Sequence, residues 1–406
     1  MITVADLCPY WSWPPTGGGP LRVYNLNKRV AAQVQVLQFS VRPTFGHQQH
    51  GWSSWVGTRS HQLAQNYWEY QYFHPAILGT GYLLYKSGLH SDLFLSSMLR
   101  LLSPVALHEI IKSASIIQVE HPWLFDLARH LAHGRPIIYV AHNVEAVLWG
   151  QLDKGEKDTL KAFKQRPREL ERAAVRDAHA VVAMSPQDAA TLVQDYGASL
   201  QRLTIIPNGI DLQSRSPATP EKKAAARRRL GLDAKPVLLF TGSDHYPNKE
   251  ALAHIQRWQA YLGSELGIQF IVVGTAGRGI QSTEHMRVVG FVDDISDYLA
   301  AADIALNPLT SGSGTSLKIG EYLACGLPTV TTLTGIRGLQ LTPGEDVLLG
   351  EISEFPQLIE RLLKERELRE NLGRHGHQTA TAAYSWDYLA DHMLGVYEKV
   401  AQCASA

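Results

Sequence analysis

Short apolar runs recur along the chain, each closed by glycine, proline or polar residues and most followed by a stretch of helical spacing. Strands are predicted over 2–7, 34–39, 115–119, 136–141, 180–184, 203–206, 237–241, 270–274, 303–306, 329–331 and 347–350. Helices are predicted over 21–32, 157–178, 220–230, 315–324, 355–372 and 386–401. Runs that are apolar at every position suit strands covered on both faces, and their alternation with helices predicts parallel sheets in an α/β protein. The pattern closes at Pro207-Asn-Gly-Ile-Asp211 and restarts after a linker over 213–220, so residues 1–212 and 213–383 are read as two domains, followed by a terminal helical segment over 384–406. The 406 residues are enough for each domain to bury a core. Ser185 and Asp188 suit the cap of the helix that follows 180–184.

Two segments stand apart. Residues 51–73 are rich in Trp, Tyr, Gln and His with partial alternation; such side chains can bind a sugar face or form an amphipathic sheet surface. Residues 92–109 are apolar but interrupted by Arg100 and Pro104, which fits a core helix or an acceptor-side surface that touches lipid.

Composition narrows the partners. Lys plus Arg and Asp plus Glu are 38 each, so no bulk field draws nucleic acid, and the Arg227-Arg228-Arg229 run reads as a solvated helix face. An anionic ligand must be held locally. Three cysteines, Cys8, Cys325 and Cys403, are too few and too scattered for a disulfide framework or a zinc site, which fits a reducing cytoplasm. The first residues lack the pattern of a signal peptide, and no run has the length of a transmembrane helix. The expectation is a cytoplasmic protein with room for peripheral contact at the inner face of the membrane.

The strongest candidate chemistry lies in 307–332. A strand leads through a small-residue loop, Gly312-Ser-Gly-Thr-Ser316, into a helix, and such a helix start offers free N–H groups and a favourable dipole to phosphate. Lys318 and Glu321 share one helical face, the first suited to a diphosphate and the second to the vicinal hydroxyls of a ribose. The same residues would also serve in an ordinary glycine-rich turn with a surface Lys-Glu pair. Gly320 inside the helix costs about 1 kcal/mol relative to Ala, pointing to close packing or ligand approach. Strand ends supply further candidates: Gly17 and Gly18, with Arg22, after the first strand; His142 after 136–141; Ser243 and Lys249 after 237–241.

The run Gly312-x-Gly-Thr-x-Leu-Lys-Ile-x-Glu321, followed by Gly326-x-Pro-x-Val-x-Thr332, resembles the donor-binding signature of the retaining, GT-B-fold glycosyltransferases of family 4. The His142-Asn-x-Glu145 element, the strand-end Glu120-His-Pro122 and the Pro207-Asn-Gly-x-Asp211 turn resemble the same family. The resemblance implies two Rossmann-like domains with parallel sheets facing an interdomain cleft, and a last helix that crosses back to the first domain. It implies transfer of a sugar, with retention of configuration, from a nucleotide-sugar to a glycan, lipid-linked or small-molecule acceptor. UDP- or GDP-sugar is the expected donor, without metal or other cofactor. His142, Lys318 and Glu321 would be catalytic, and Gly17, Gly18, Ser243, Lys249, Phe291, Val292, Ser313, Gly314, Thr315, Ser316 and Leu317 would line the donor site. Ser313 stands where the family carries the first of two glutamates. That departure keeps two other functions open, a sugar-nucleotide epimerase or hydrolase, and a catalytically silent nucleotide-binding protein.

Overall fold

Strands β1 (Thr3–Cys8), β2 (Gln35–Val41), β3 (Gly57–Ala64), β4 (Tyr67–Phe73), β5 (Ile116–Glu120), β6 (Ile137–Ala141), β7 (Ala180–Ala183) and β8 (Leu203–Ile205) form one sheet in the computed structural model, in the order β3-β4-β2-β1-β5-β6-β7-β8. Every pairing is parallel except the β3–β4 hairpin, which takes up part of the aromatic and amide-rich segment. A second sheet follows the order β11-β10-β9-β12-β13-β14, all parallel, from β9 (Val237–Thr241), β10 (Gln269–Val273), β11 (Met286–Gly290), β12 (Ile304–Asn307), β13 (Thr329–Thr331) and β14 (Leu348–Leu349). The structure describes residues 1–15, 17–41, 56–87, 89–152, 165–212, 214–312 and 315–405. Ser313 and Gly314 lie outside them, as do most of 51–56 and the start of the helix predicted over 157–178.

The chain divides into two units, Met1–Pro207 with Leu389–Ala406, and Asn208–Tyr388. The divides read from sequence at 212 and 383 fall inside the second unit, because the Ile210 N–H donates to Tyr384 O (2.7 Å) and Gly209 packs so closely on Trp386 that a β-carbon there would lie 2.4 Å from its ring. From Leu389 the last helix, Trp386–Ser405, belongs to the first unit: Tyr397 Oη donates to Gln118 Oε1 (2.7 Å) and Lys399 Nζ to Gln201 O (2.7 Å).

The first sheet is apolar on one face, and a polar row crosses the other between buried apolar residues such as Val4, Val36 and Ile116. Leu7, Phe39, Ile117, Val119 and Tyr139 enter the main core, as period-two alternation requires. On the opposite face Glu69, Gln38, Asp6 and Gln118 stand side by side in register across β4, β2, β1 and β5, all buried. Buried polar groups must find partners, and these do. Asn27 Nδ2, from the helix Gly18–Val30, donates to Asp6 Oδ2 (2.6 Å) and Gln38 Oε1 (3.2 Å). Glu69 Oε1 accepts from Ser12 N (2.7 Å), Ser40 Oγ (2.7 Å) and Gln38 Nε2 (3.1 Å).

Some helices depart from their expected limits. The first begins at Gly18, with Gly17 at φ 88° as its N-cap. The helix expected over 355–372 is two, Phe355–Lys364 and Arg366–Ala383. Glu365 leaves helical geometry at ψ 86°, and Arg369 Nη1 binds the carbonyls of Leu362 (2.8 Å) and Leu363 (3.2 Å) that the break frees. Ser185 caps its helix as expected, accepting from Asp188 N (2.9 Å). In the 227–229 run Arg228 and Arg229 are exposed, Arg229 pairing with Asp297, while Arg227 is half-buried and binds Asp303 and Ala301 O (3.1 Å). The interrupted apolar segment folds as Leu95–Leu102 and Val105–Ser113, with Leu95, Leu99, Leu107, Ile110 and Ile111 buried and Leu101 and Val105 exposed. Among the described residues, no single helix is long and apolar enough to cross a membrane.

Candidate functional site

In the second unit, the carboxyl ends of β9 and β12 run into two loops that open helices Tyr246–Leu266 and Leu317–Ala324. The loops are joined: Ser311 Oγ donates to Glu250 Oε2 (2.7 Å), and a β-carbon at Gly312, which holds φ 133°, would lie 3.7 Å from Pro247. Ser316 is the N-cap of the second helix, which starts at Leu317 and not at the predicted 315, and its hydroxyl makes no capping bond. The hydroxyls of Thr315 and Ser316 are both buried and have no hydrogen-bond partner among the described residues. Leu317 is the first helical residue.

Lys318 lies between the loops. Its Nζ donates to Asn248 Oδ1 (2.5 Å) and sits 4.4 Å from the centroid of the Phe240 ring. Asn248 Nδ2 in turn donates to Ser243 O (3.0 Å) and Ser243 Oγ (3.3 Å), so Ser243 and Lys318 are joined through an amide that sequence reading passed over. Removal from water lowers the Lys318 pKa from 10.5 to about 7, only partly opposed by Glu321. Lys249 is half exposed and paired with Asp244 of the preceding loop (2.5 Å).

Glu321 is linked to the loop after β11 by Arg215. The guanidinium lies 3.5 Å from Glu321 Oε1, donates to Ser296 Oγ (3.0 Å) and lies 4.0 Å from Asp294 Oδ1. Burial raises the Glu321 pKa, and Arg215 pulls against that rise. Phe291 is 73% exposed on the same loop, while Val292 packs on an apolar cluster. Arg215 sits in what the sequence shows only as linker. Gly320 resolves toward close packing: a β-carbon there would meet Ile210 Cγ1 at 2.7 Å.

In the first unit, Tyr10, His121 and His142 follow the carboxyl ends of β1, β5 and β6, three neighbouring strands. The two imidazoles stack at 4.2 Å with 12° between planes, and Tyr10 meets both rings edge-on. His142 is buried with Nε2 against Glu120 Oε2. His121 Nδ1 pairs with Glu145 Oε1 (2.7 Å), and its Nε2 lies 3.2 Å from Tyr10 Oη. His121 also holds φ 65°, a left-handed backbone uncommon outside glycine and a form of strain that gathers at working sites. Burial lowers the His142 pKa to about 4, helped by the His121 charge and outweighing the pull of Glu120. Burial acts the same way on His121, but Glu145, Glu120 and Asp92 overcome it and raise its pKa. The two shifts run in opposite directions, so the positive charge of the pair is favoured on His121 and His142 is favoured neutral.

Gly18 opens the helix whose next residue, Gly19, packs against the Tyr10 ring. Arg22, one turn on, is fully buried and donates to the carbonyls of Pro207 and Ile206 (2.8 Å for the latter). Desolvation lowers its pKa to about 10. The structure thus joins Ser243, Lys318 and the Thr315–Ser316 turn in one unit, and His142 with Glu120 and His121 in the other.

Comparison with known proteins gives the same picture from a different direction. Residues 16–214 match the family described as Glycosyltransferase Family 4, and residues 235–365 match Glycosyl transferases group 1. A D-inositol 3-phosphate glycosyltransferase of Geodermatophilus obscurus is 27% identical over 311 residues, covering 70% of this chain and 66% of that protein. Among solved structures, sucrose-phosphate synthase from Thermosynechococcus elongatus superposes with a TM-score of 0.73 at 18% identity, over 99% of this chain and 100% of that one. The Anabaena HepE protein in complex with UDP superposes with a TM-score of 0.65 at 16% identity, over 98% and 100%.

Proposed function

This chain belongs to glycosyltransferase family 4 and has the GT-B fold, and from that premise we propose that it moves a sugar from a UDP- or GDP-sugar to an acceptor hydroxyl, with retention of configuration. The observation that carries the reading is Lys318. It is a desolvated amine held by a neutral amide and a ring face, in the first turn of a helix whose Thr315 and Ser316 hydroxyls find no partner among the described residues. Such a site is incomplete without an anion, and a diphosphate supplies the charge and the acceptor oxygens it lacks.

The barrier lies in separating a glycosyl fragment of oxocarbenium character from the diphosphate. Lys318 and the hydroxyls of Thr315 and Ser316 would stabilise charge as it develops on the leaving oxygen. The bond from the anomeric carbon to the phosphate oxygen breaks, a bond to the acceptor oxygen forms on the same face, and the acceptor proton passes to the phosphate. Glu321 would hold the ribose, with Arg215 keeping its carboxyl ionised, and Phe291 and Val292 would edge the base. His142 would meet the sugar. Gly17 and Gly18 would give the phosphates access to backbone. No metal is needed where Lys318 supplies the charge.

The acceptor is of the glycan, lipid-linked or small-molecule class; the inositol phosphate named for one relative makes polyol phosphates the first to try. The unpaired cysteines suit a cytoplasmic setting.

A melting-temperature screen against UDP, GDP, ADP and their sugar conjugates, with and without EDTA, tests the reading. Ligands that bind only the native state raise the melting temperature. Stabilisation by one uridine or guanosine series, unchanged by EDTA, is expected; no shift with any nucleotide at millimolar concentration would sink the assignment.

A further inference from the structure

Four buried side chains of the first unit are joined end to end. Tyr397 Oη, on the last helix, donates to Gln118 Oε1 (2.7 Å), since an amide oxygen can only accept. That contact orients the Gln118 amide, whose Nε2 donates to Glu120 Oε1 (2.6 Å). The other carboxylate oxygen, Oε2, meets His142 Nε2. Glu120 thus accepts on both oxygens. Burial alone would raise its pKa, but the hydrogen bond with His142 and the charges of Arg22 and His121 lower it, favouring the ionised form. An anion that can only accept requires its partner to donate, so the His142 proton is on Nε2 and the lone pair on Nδ1.

The stacked ring fixes the charge as well as the tautomer. Two imidazolium rings 4.2 Å apart repel, and pairing with Glu145 favours the positive charge on His121, leaving His142 neutral. The titratable and charged groups facing the pair are Tyr10, Arg22, Asp92, Glu120 and Glu145. Among the described residues, the contact with Glu120 is the only hydrogen bond made by the His142 ring.

We propose that Glu120 is a positioning residue which, oriented by Gln118 and Tyr397, holds His142 as the neutral Nε2–H tautomer and leaves Nδ1 to accept a hydrogen bond from a hydroxyl of the transferred sugar. The second half of this statement rests on the reading that His142 meets the donor. The class of donor it selects is a sugar bearing a free hydroxyl at that position rather than its deoxy counterpart. The relay also gives the end of the chain a part in donor recognition, through a phenol distant from His142 in sequence.

The test is nitrogen-15 NMR of the His142 ring in the full chain at neutral pH, combined with kinetics of Glu120→Gln and Tyr397→Phe. The native ring is expected to show the Nε2–H pattern. In Glu120→Gln the amide can donate to Nε2, so the pattern shifts toward Nδ1–H, and kcat falls by about tenfold or more with little change in KM for the donor. Tyr397→Phe gives a smaller loss of the same kind, and Glu120→Asp restores the native tautomer and part of the rate. Retained stabilisation by UDP or GDP shows that each variant is folded. A native ring found as Nδ1–H or imidazolium overturns the proposal, as does a Glu120→Gln protein with altered tautomer and unchanged kcat. The spectrum needs no turnover, so failure of the nucleotide screen would sink the transferase reading while leaving the tautomer result to stand by itself.

Discussion

The Lys318 ammonium lies over the Phe240 ring, 4.4 Å from its centroid, on the strand that ends beneath the candidate diphosphate site. A ring face solvates a cation less well than water does, and the depressed pKa of about 7 follows. A bound diphosphate reverses this by favouring the charged form. Nucleotide binding should therefore take up a proton, increasingly so as pH rises above about 7, and affinity should fall with pH by up to about tenfold per unit. Calorimetry in buffers of differing ionisation enthalpy measures the uptake; heats independent of buffer at pH 8 would exclude Lys318 from the phosphate site. In the free protein, the folded state binds fewer protons at Lys318 than the unfolded chain between about pH 7 and the ordinary lysine range. Its contribution to stability therefore rises with pH across that window, and is lost as pH falls through 7.

Arg215 and Glu321 should act together. Glu321→Ala is expected to weaken UDP or GDP binding by about tenfold, the effect of losing one charge-assisted hydrogen bond. Arg215→Ala should weaken it less at pH 8 than at pH 6, because the raised Glu321 pKa then loses the guanidinium that opposes it. Titration of both variants by fluorescence or calorimetry decides the matter. Equal losses at both pH values would show that Arg215 acts on the ligand and not through Glu321.

His142→Ala should lower kcat by about a hundredfold while leaving the dissociation constant of free UDP or GDP unchanged, since it meets sugar and not nucleotide. With a pKa of about 4, His142 contributes no inflection to the rate between pH 5 and 7. Its burial as the neutral form supports stability above the ordinary histidine range, support that is lost as pH falls through 4. An inflection in that window that vanishes in His142→Ala would contradict the assignment.

The same substitution should have opposite signs at two helical glycines. At Gly373 a β-carbon would lie 2.4 Å from the backbone oxygen of Gly326, which cannot move aside cheaply. At Gly395 nothing lies within 4 Å. Gly373→Ala is expected to destabilise by about 1–3 kcal/mol through overpacking, and Gly395→Ala to stabilise by about 0.5–1 kcal/mol through helix propensity. Denaturant titration of the two variants gives both signs at once.

What the sequence made legible was local. Apolar runs located the parallel strands, strand-end polar residues located His142 and the loop of Ser243, and the 312–321 pattern located Lys318 and Glu321. Residues that act on those groups from other elements were not legible. Arg215 reads as linker, Asn248 as one polar residue in a turn, and Glu120 as part of a strand-end motif rather than as the partner of His142. Lys249 was legible as a lysine beside a glycine loop, while its pairing with Asp244 of that loop was not. Helix starts were placed within a turn, but the break at Glu365 depends on Arg369 reaching back, a contact between side chain and backbone that periodicity does not carry.

The polar row Glu69, Gln38, Asp6, Gln118 was equally hidden, because β4, β2, β1 and β5 are neighbours in space but not in order along the chain. It works as a key for strand alignment. A slip of β1 by one position would turn Asp6 into the layer of Leu37, Phe39 and Val119, and leave Asn27 and Gln118 without the carboxyl group they share. Mispaired arrangements of this sheet are thereby penalised one rung at a time, and the correct one is the arrangement that delivers Glu120 and His142 to the same edge.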